Sequence, residues 1–165
     1  MTDPEQLAAG VIARLIERGE TLATAESLTG GLLGALLTGI PGASLAYRGG
    51  LIVYATDLKA TLAGVAEETL ARDGAVAQST AAELAAGAAD RCGATWGLSA
   101  TGVAGPDRQE GHPAGTVFVG LAGPDGPEVR RLSLSGDRAA IRGQTCVGAL
   151  DLLLGRLTEI QRTSP

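Results

Sequence analysis

The sequence predicts an α/β fold in which a mixed β-sheet is covered by helices, and two observations carry this prediction. Along most of the chain, segments with helical spacing of apolar residues alternate with short apolar segments typical of strands. Later, two strand-like segments follow each other across the turn Gly123-Pro-Asp-Gly126, which predicts an antiparallel hairpin. Strands separated by helices favour parallel pairing, so the hairpin makes the sheet mixed.

Capping residues indicate where several helices begin and end. Asp3-Pro4 is a typical N-cap followed by proline, and Gly19 ends that first helix. Thr80 and Glu83 form a capping-box pattern before an alanine-rich helix that Gly93 ends. The other predicted helices cover residues 32–38, 56–63, 67–72 and 137 to about 160.

Strands are predicted at residues 21–25, 51–54, 96–100, 116–121 and 128–134. The continuous apolar run at 51–54 is expected to be a buried strand, and the alternating segment at 128–134 a half-exposed one. No linker or internal repeat separates these elements, so residues 1–165 are expected to form one domain.

Composition excludes several classes of function. A formal charge of -5 and a pI of about 4.8 argue against a nucleic-acid binder, which needs a basic face. Cys92 and Cys146 lie in apolar runs without a CxxC or a histidine cluster, so no metal site is expected. No signal peptide or membrane-length apolar run is present, which predicts a cytoplasmic protein that does not bind membranes. The apolar final helix favours a homo-oligomer, most simply a dimer.

Ser27 lies in the predicted connection between the first strand and the helix that follows it. Residues that can take part in chemistry follow three of the predicted strands in this way. Ligands of open α/β sheets bind outside strand ends, near helix N-termini. A serine there is placed to act as a nucleophile, and equally to cap the following helix, a role also open to Thr29. Tyr54 and Lys59 follow the second strand, and the segment from Thr101 follows the third.

A serine and a lysine on separate segments suggest a Ser–Lys hydrolase. A desolvated lysine amine has a lowered pKa and can take the proton of the serine hydroxyl. The ordinary alternative for Lys59 is a solvated helix residue. For Tyr54 it is a ring packed at a strand end with its hydroxyl in water.

The stretch Thr101-Gly-Val-Ala-Gly-Pro places Gly102 and Gly105 three residues apart after a strand. Such glycines let backbone N–H groups approach a phosphate or an oxyanion, although a plain tight turn is the alternative. The stretch matches neither the dinucleotide nor the ATP loop pattern, so those cofactors have no support. Arg138 and Arg142 lie four apart and can hold an anion jointly, or pair with a carboxylate such as Asp137.

Together these segments resemble the C-terminal domain family of the competence-associated protein CinA, which includes the stand-alone nicotinamide-nucleotide amidohydrolases. The resemblance runs from about residue 20 to residue 157. It is carried by Glu26-Ser27-x-Thr29-Gly30-Gly31, Pro41-Gly42-Ala43-Ser44, Tyr54 with Lys59, Gly74-Ala75-Val76, Thr101-Gly-x-Ala-Gly-Pro106, Gly115-Thr116-Val117 and Gly136-Asp137-Arg138 with Arg142.

The resemblance implies a three-layer α/β/α sandwich that deamidates nicotinamide mononucleotide, a small-molecule nucleotide substrate, without metal or cofactor. It implies Ser27 as the nucleophile, Lys59 as the general base and Tyr54 as a further residue of the catalytic pocket. Arg142, with Arg138 second, is implied for the substrate phosphate. The other implied substrate-binding residues are Thr29, Gly30, Gly31, Thr101, Gly102 and Gly105. Because residues 107–112 depart from the family's glycine-rich loop, a non-catalytic nucleotide-binding or regulatory module stays open as the alternative.

Overall fold

The computed structural model describes the backbone of residues 2–163 and the side chains as far as residue 159. Within that part of the chain, five strands form one sheet in the order β2-β1-β3-β4-β5. Strand β1 runs parallel to β2 and β3, whereas β3, β4 and β5 are antiparallel, so the predicted mixed sheet is confirmed. The strands are β1 Leu22–Glu26, β2 Tyr47–Ile52, β3 Trp96–Gly102, β4 Thr116–Ala122 and β5 Glu128–Ser133.

Helices cover both faces of this sheet, which confirms the three-layer α/β/α sandwich. Strand residues alternate between the two layers, so that Leu22 packs with one set of helices and Ala23 with the other. Helices α1, α2 and α6 share the first layer, and α3, α4 and α5 lie on the opposite face. The helices are α1 Pro4–Arg18, α2 Leu32–Thr38, α3 Thr56–Thr61, α4 Glu67–Asp73, α5 Gln78–Cys92 and α6 Arg138–Thr163.

The ends of two helices follow from local sequence, whereas the start of α5 does not. Asp3 caps α1, and Gly19 and Gly93 end α1 and α5 in the left-handed conformation. The predicted capping box is wrong, because α5 begins at Gln78. Thr80 Oγ1 instead donates to the carbonyl of Gly74 at 2.6 Å, and the Glu83 carboxylate accepts the N–H of Ala66 at 3.0 Å.

Strand β2 also differs from its prediction. It begins at Tyr47, ends at Ile52, and lies at the sheet edge with alternating exposure instead of being buried. Two glycines fall inside it for different reasons. A Cβ atom on Gly50 would collide with the hydroxyl of Thr24 on β1, whereas Gly49 has a φ of 146°, which side chains disfavour. Since the strand ends early, Tyr54 lies beyond it in the connection to α3.

Helix α6 begins at Arg138, where the Asp137 carboxylate accepts the N–H of Ala140 at 2.8 Å. As far as residue 157, the apolar residues of this helix pack inside the fold, mainly against α1 and β4. The homo-oligomer stays a prediction, which light scattering tests. The predicted face contains Cys146, Leu150, Leu153 and Leu157, all buried, and the side chain of Ile160, which lies outside the described residues. Across residues 2–163, no helix is long and apolar enough to cross a membrane.

Candidate active site

Glu26, the last residue of β1, caps helix α2 from a distance. Its buried carboxylate accepts hydrogen bonds from Thr29 Oγ1 at 2.7 Å and from the N–H groups of Gly31, Leu33 and Gly34 at 3.2, 2.9 and 3.1 Å. These N–H groups are ones that a helix start leaves without an intrahelical partner. The cap is therefore neither Ser27 nor Thr29, and the Ser27 hydroxyl is left for another role.

The hydroxyl of Ser27 meets the amine of Lys59 inside the protein. Lys59 lies on α3 with only 1% of its surface exposed, and its Nζ donates to Ser27 Oγ at 3.0 Å. The same amine donates to the main-chain carbonyls of Val53 and Tyr54 at 2.8 and 3.1 Å. The structure therefore brings together the two residues on which the sequence hypothesis depends.

Burial lowers the pKa of the Lys59 amine to about 8, and the nearby Glu110 carboxylate opposes that shift. The surrounding acceptors also fix how the neutral amine is oriented. The carbonyls of Val53 and Tyr54 can only accept, so they require both of its N–H groups. The lone pair of the neutral amine is then directed at the Ser27 hydroxyl, which is the geometry that a general base needs.

Ser27 opens onto a cavity of about 380 Å³, a volume typical of small-molecule sites. Tyr54 and Arg138 line it from one side, and the Tyr54 hydroxyl accepts a hydrogen bond from Arg138 Nη2 at 3.2 Å. Residues 75–76 and 101–109 form the remaining wall. Thr101 belongs to that wall, but its hydroxyl donates to the carbonyl of Ala75 at 2.7 Å and so holds the wall in place.

Thr29, Gly30 and Gly31 do not line the cavity, contrary to their predicted role in substrate binding. The hydroxyl of Thr29 is buried on Glu26. The N–H of Gly30 donates to the Ser27 carbonyl at 3.1 Å, so neither glycine offers a free N–H for an oxyanion. Their left-handed φ values of 56° and 103° show that they shape the turn. Gly102 and Gly105 do line the cavity, as predicted.

Of the two arginines predicted to bind the substrate phosphate, the one ranked second, Arg138, lies at the cavity, and the one ranked first, Arg142, does not. Arg142 donates from Nε to the carbonyl of Leu28 at 2.9 Å and from Nη2 to that of Thr29 at 3.1 Å, behind the nucleophile turn. It is not part of the cavity lining, so its predicted contact with the substrate phosphate is not supported. Arg138 lies in the cavity wall, anchored by a 2.6 Å bond from Nη1 to the carbonyl of Gly105.

Sequence reasoning overlooked a signal that favours Lys59. It is the only lysine in the sequence, and the other 12 basic residues are arginines. Arginine stays protonated in proteins, whereas a buried lysine amine can lose its proton near neutral pH. The one lysine of the chain therefore lies at the position where an amine that can lose its proton could act as a general base. The roles of Glu26 and Glu110 were also missed, because each acts through contacts that the sequence order does not reveal.

A second, wider cavity of about 890 Å³ lies beside the first, between the start of α5 and strands β4 and β5. Its charged lining includes Arg131, which lies over the Phe118 ring, together with Asp73 and Glu128. His112, the only histidine, lines this cavity and not the one at Ser27. Ser27 lines the smaller cavity and is absent from the lining of this one, so we assign the candidate active site to the smaller cavity.

Fold and site together define an α/β/α sandwich with a buried serine–lysine pair at a ligand-sized cavity. The sequence model of the CinA C-terminal domain matches residues 4–157, and the chain belongs to this family. A CinA-like protein of Frankia casuarinae is 55% identical over 143 residues, which cover 87% of this chain and 33% of the relative. One of Thermosynechococcus vestitus is 46% identical over 158 residues, which cover 93% and 38%. The chain thus spans between about a third and two fifths of the length of these curated relatives.

Solved structures of the CinA superfamily have the same fold. A superfamily protein from Klebsiella pneumoniae superposes with a TM-score of 0.92 at 32% identity, covering 96% of this chain and 99% of that one. The competence/damage-inducible protein from Agrobacterium tumefaciens gives a TM-score of 0.90 at 34% identity, covering 96% and 97%.

Proposed function

We propose that the protein hydrolyses the carboxamide of nicotinamide mononucleotide, yielding nicotinic acid mononucleotide and ammonia. The observation that carries this proposal is the 3.0 Å hydrogen bond between the buried Lys59 amine and Ser27 Oγ at the cavity wall. Membership of the CinA family supports the choice of substrate, through the family's stand-alone nicotinamide-nucleotide amidohydrolases.

The contacts of Ser27 and Lys59 support a two-stage reaction. Ser27 Oγ attacks the carboxamide carbon while its proton passes to Lys59 Nζ. The tetrahedral intermediate then expels ammonia, which takes that proton from the lysine, and leaves an ester on Ser27. Water attacks the ester with Lys59 again as base, and the serine is restored. The N–H groups of Gly30 and Gly31 are engaged in other hydrogen bonds, so we assign stabilisation of the oxyanion to the N–H of Gly102, which lines the cavity.

The charges of the cavity suit a substrate that carries a phosphate. Arg138 and Arg108 both line it, against the single acidic side chain of Asp107 among its lining residues. Guanidinium groups bind phosphate oxygens through charge-assisted hydrogen bonds. With the carboxamide at Ser27, Arg138 is proposed to bind the phosphate and Tyr54, whose hydroxyl already accepts from Arg138, to help position it.

Ammonia release from nicotinamide mononucleotide by the pure protein tests the proposal. We expect Ser27→Ala to abolish release, while Ser99→Ala, which removes another buried serine hydroxyl on β3, keeps it. Because the neutral form of Lys59 acts as base, kcat/KM should rise about tenfold per pH unit below pH 8 and level off above it. Full activity of the Ser27→Ala protein, or a flat profile through pH 8, would contradict the mechanism.

A non-catalytic nucleotide-binding module is the second candidate, because Asp107, Arg108 and Gln109 replace a glycine-rich stretch of the family and line the cavity. Calorimetry separates the two functions. Binding of the nucleotide without any turnover favours the module and overturns the amidohydrolase. A panel of small amides and lactams, assayed in parallel, shows whether the cavity wall selects another amide.

A further inference from the structure

Glu110 stands at the tip of a tight turn in the loop that forms one wall of the cavity. Gln109 and His112 exchange two backbone hydrogen bonds, of 3.1 and 2.8 Å, around Glu110 and Gly111. Both central residues have left-handed φ values, 52° and 79°, as in a type I′ turn. Asparagine, aspartate or glycine is favoured at the first of these positions, and glutamate is not. Among the described residues, Glu110 is the only one other than glycine with a positive φ.

The carboxylate of Glu110 reaches across to the opposite wall. It accepts the N–H of Ala75 at 2.8 Å and the N–H of Val76 at 3.0 Å, in the connection between α4 and α5. Gly74 makes room for this contact, since a Cβ atom there would collide with the carboxylate. An unfavourable backbone conformation is thus retained where the side chain makes two specific bonds.

We propose that Glu110 is a positioning residue of the Ser27–Lys59 site, whose carboxylate fastens the loop at residues 105–112 to Ala75 and Val76 and so holds two walls of the cavity together. The effect of Glu110 on catalysis rests on the proposed function. Its contacts with Ala75 and Val76 are independent of that proposal. Thr101 completes the arrangement, because its hydroxyl holds the carbonyl of Ala75 from the strand side.

The same carboxylate acts on Lys59 through its charge. Lys59 is faced by the Ser27 hydroxyl and by the carbonyls of Val53 and Tyr54, none of which carries a charge. The negative charge of Glu110 raises the pKa of Lys59 against the effect of burial. The other charged groups of the cavity lining are Asp107, Arg108 and Arg138. Removing the charge of Glu110 should therefore lower the pKa of Lys59, a change that a merely structural residue would not cause.

Nuclear magnetic resonance of protein labelled with 13C-lysine measures this effect directly, since Lys59 is the only lysine and gives a single side-chain signal. We expect a titration midpoint near pH 8 in the wild type and a lower midpoint in Glu110→Gln. Glu83→Gln is the control, because that carboxylate also accepts a backbone hydrogen bond, the single one from Ala66, and does not line the cavity. An unchanged midpoint in Glu110→Gln, or an equal shift in Glu83→Gln, overturns the electrostatic role.

Glu110→Asn tests the positioning role. Asparagine adopts left-handed φ values more readily than glutamate, so the turn itself is kept, but the shorter side chain does not reach Ala75 and Val76. We expect a several-fold weaker affinity for nicotinamide mononucleotide by calorimetry, with no loss of thermal stability. Wild-type affinity in this variant overturns the positioning role and leaves Glu110 as a turn residue. If the wild type binds the nucleotide without hydrolysing it, the proposed function fails while both measurements on Glu110 keep their meaning.

Discussion

Arg138 and Arg142 show how two residues of one type, four apart on a helix, can differ in role. Arg138 points into the cavity, where it contacts the Tyr54 hydroxyl and the carbonyl of Gly105. Arg142 binds the carbonyls of Leu28 and Thr29 and so braces the turn that carries the nucleophile. Residues four apart lie on the same face of a helix, but only the surrounding loops decide which of the two side chains meets a ligand.

This difference predicts that the effect of replacing Arg138 depends on the phosphate of the substrate, whereas the effect of replacing Arg142 does not. Arg138→Gln should raise KM for nicotinamide mononucleotide roughly tenfold to a hundredfold, the effect of losing about 1.5–3 kcal/mol of charge-assisted hydrogen bonding. It should leave nicotinamide riboside, which has the same carboxamide but no phosphate, nearly unaffected. Arg142→Gln should instead lower kcat for both substrates alike. Steady-state kinetics on the two substrates checks this, and an equal loss on both in Arg138→Gln would remove Arg138 from phosphate binding.

At the scale of elements, the start of α2 depends on a carboxylate at the end of the preceding strand. Glu26 accepts one hydroxyl and three N–H bonds, and no neutral side chain has the same accepting capacity. Because these bonds also fold the turn around Ser27, the cap of the helix and the placement of the nucleophile are the same structural feature. Thr29 and Gly31 serve it as donors.

Glu26→Gln should therefore destabilise the protein by about 1–3 kcal/mol, because an amide oxygen replaces a carboxylate and leaves buried donors without acceptors. Urea unfolding at neutral pH measures the change. Glu83→Gln provides the comparison, since that side chain accepts a single N–H near the surface and its loss should cost less than about 0.5 kcal/mol. Equal costs for the two variants would show that Glu26 is not the cap on which α2 depends.

The same elements show what sequence can predict here. Asp3, Gly19 and Gly93 act within one helical turn of their position, so their roles are visible in the local pattern. The bonds of Glu110 to Ala75 and Val76 join segments about 35 residues apart, and no local pattern encodes them. The edge position of β2 is equally non-local, because it follows from the order of strands in the sheet. The sequence places Lys59 after a strand, but it does not show that the side chain is buried, because the burial depends on how the layers pack.

For the whole molecule, the order of strands brings the site together. The strand β1 lies between β2 and β3, so the segments that follow these three parallel strands meet at one edge of the sheet. Ser27, Lys59 and Thr101 come from these three segments. Arg138 is the fourth residue of the site. It lies on α6, in the helical layer on the other face of the sheet from the layer that contains Lys59. A site assembled from both layers requires that the whole sandwich be folded.

Since both helical layers pack on a single sheet, the chain is predicted to unfold as one cooperative domain. Trp96, the only tryptophan, begins the central strand β3, is fully buried, and donates from Nε1 to Glu20 Oε2 at 2.8 Å. Its fluorescence reports the core, while far-UV circular dichroism reports the helices of both layers. The two signals should give coincident transitions in urea, and saturating nucleotide should shift both together by mass action. Separate transitions would contradict the single domain and indicate that the layers fold independently.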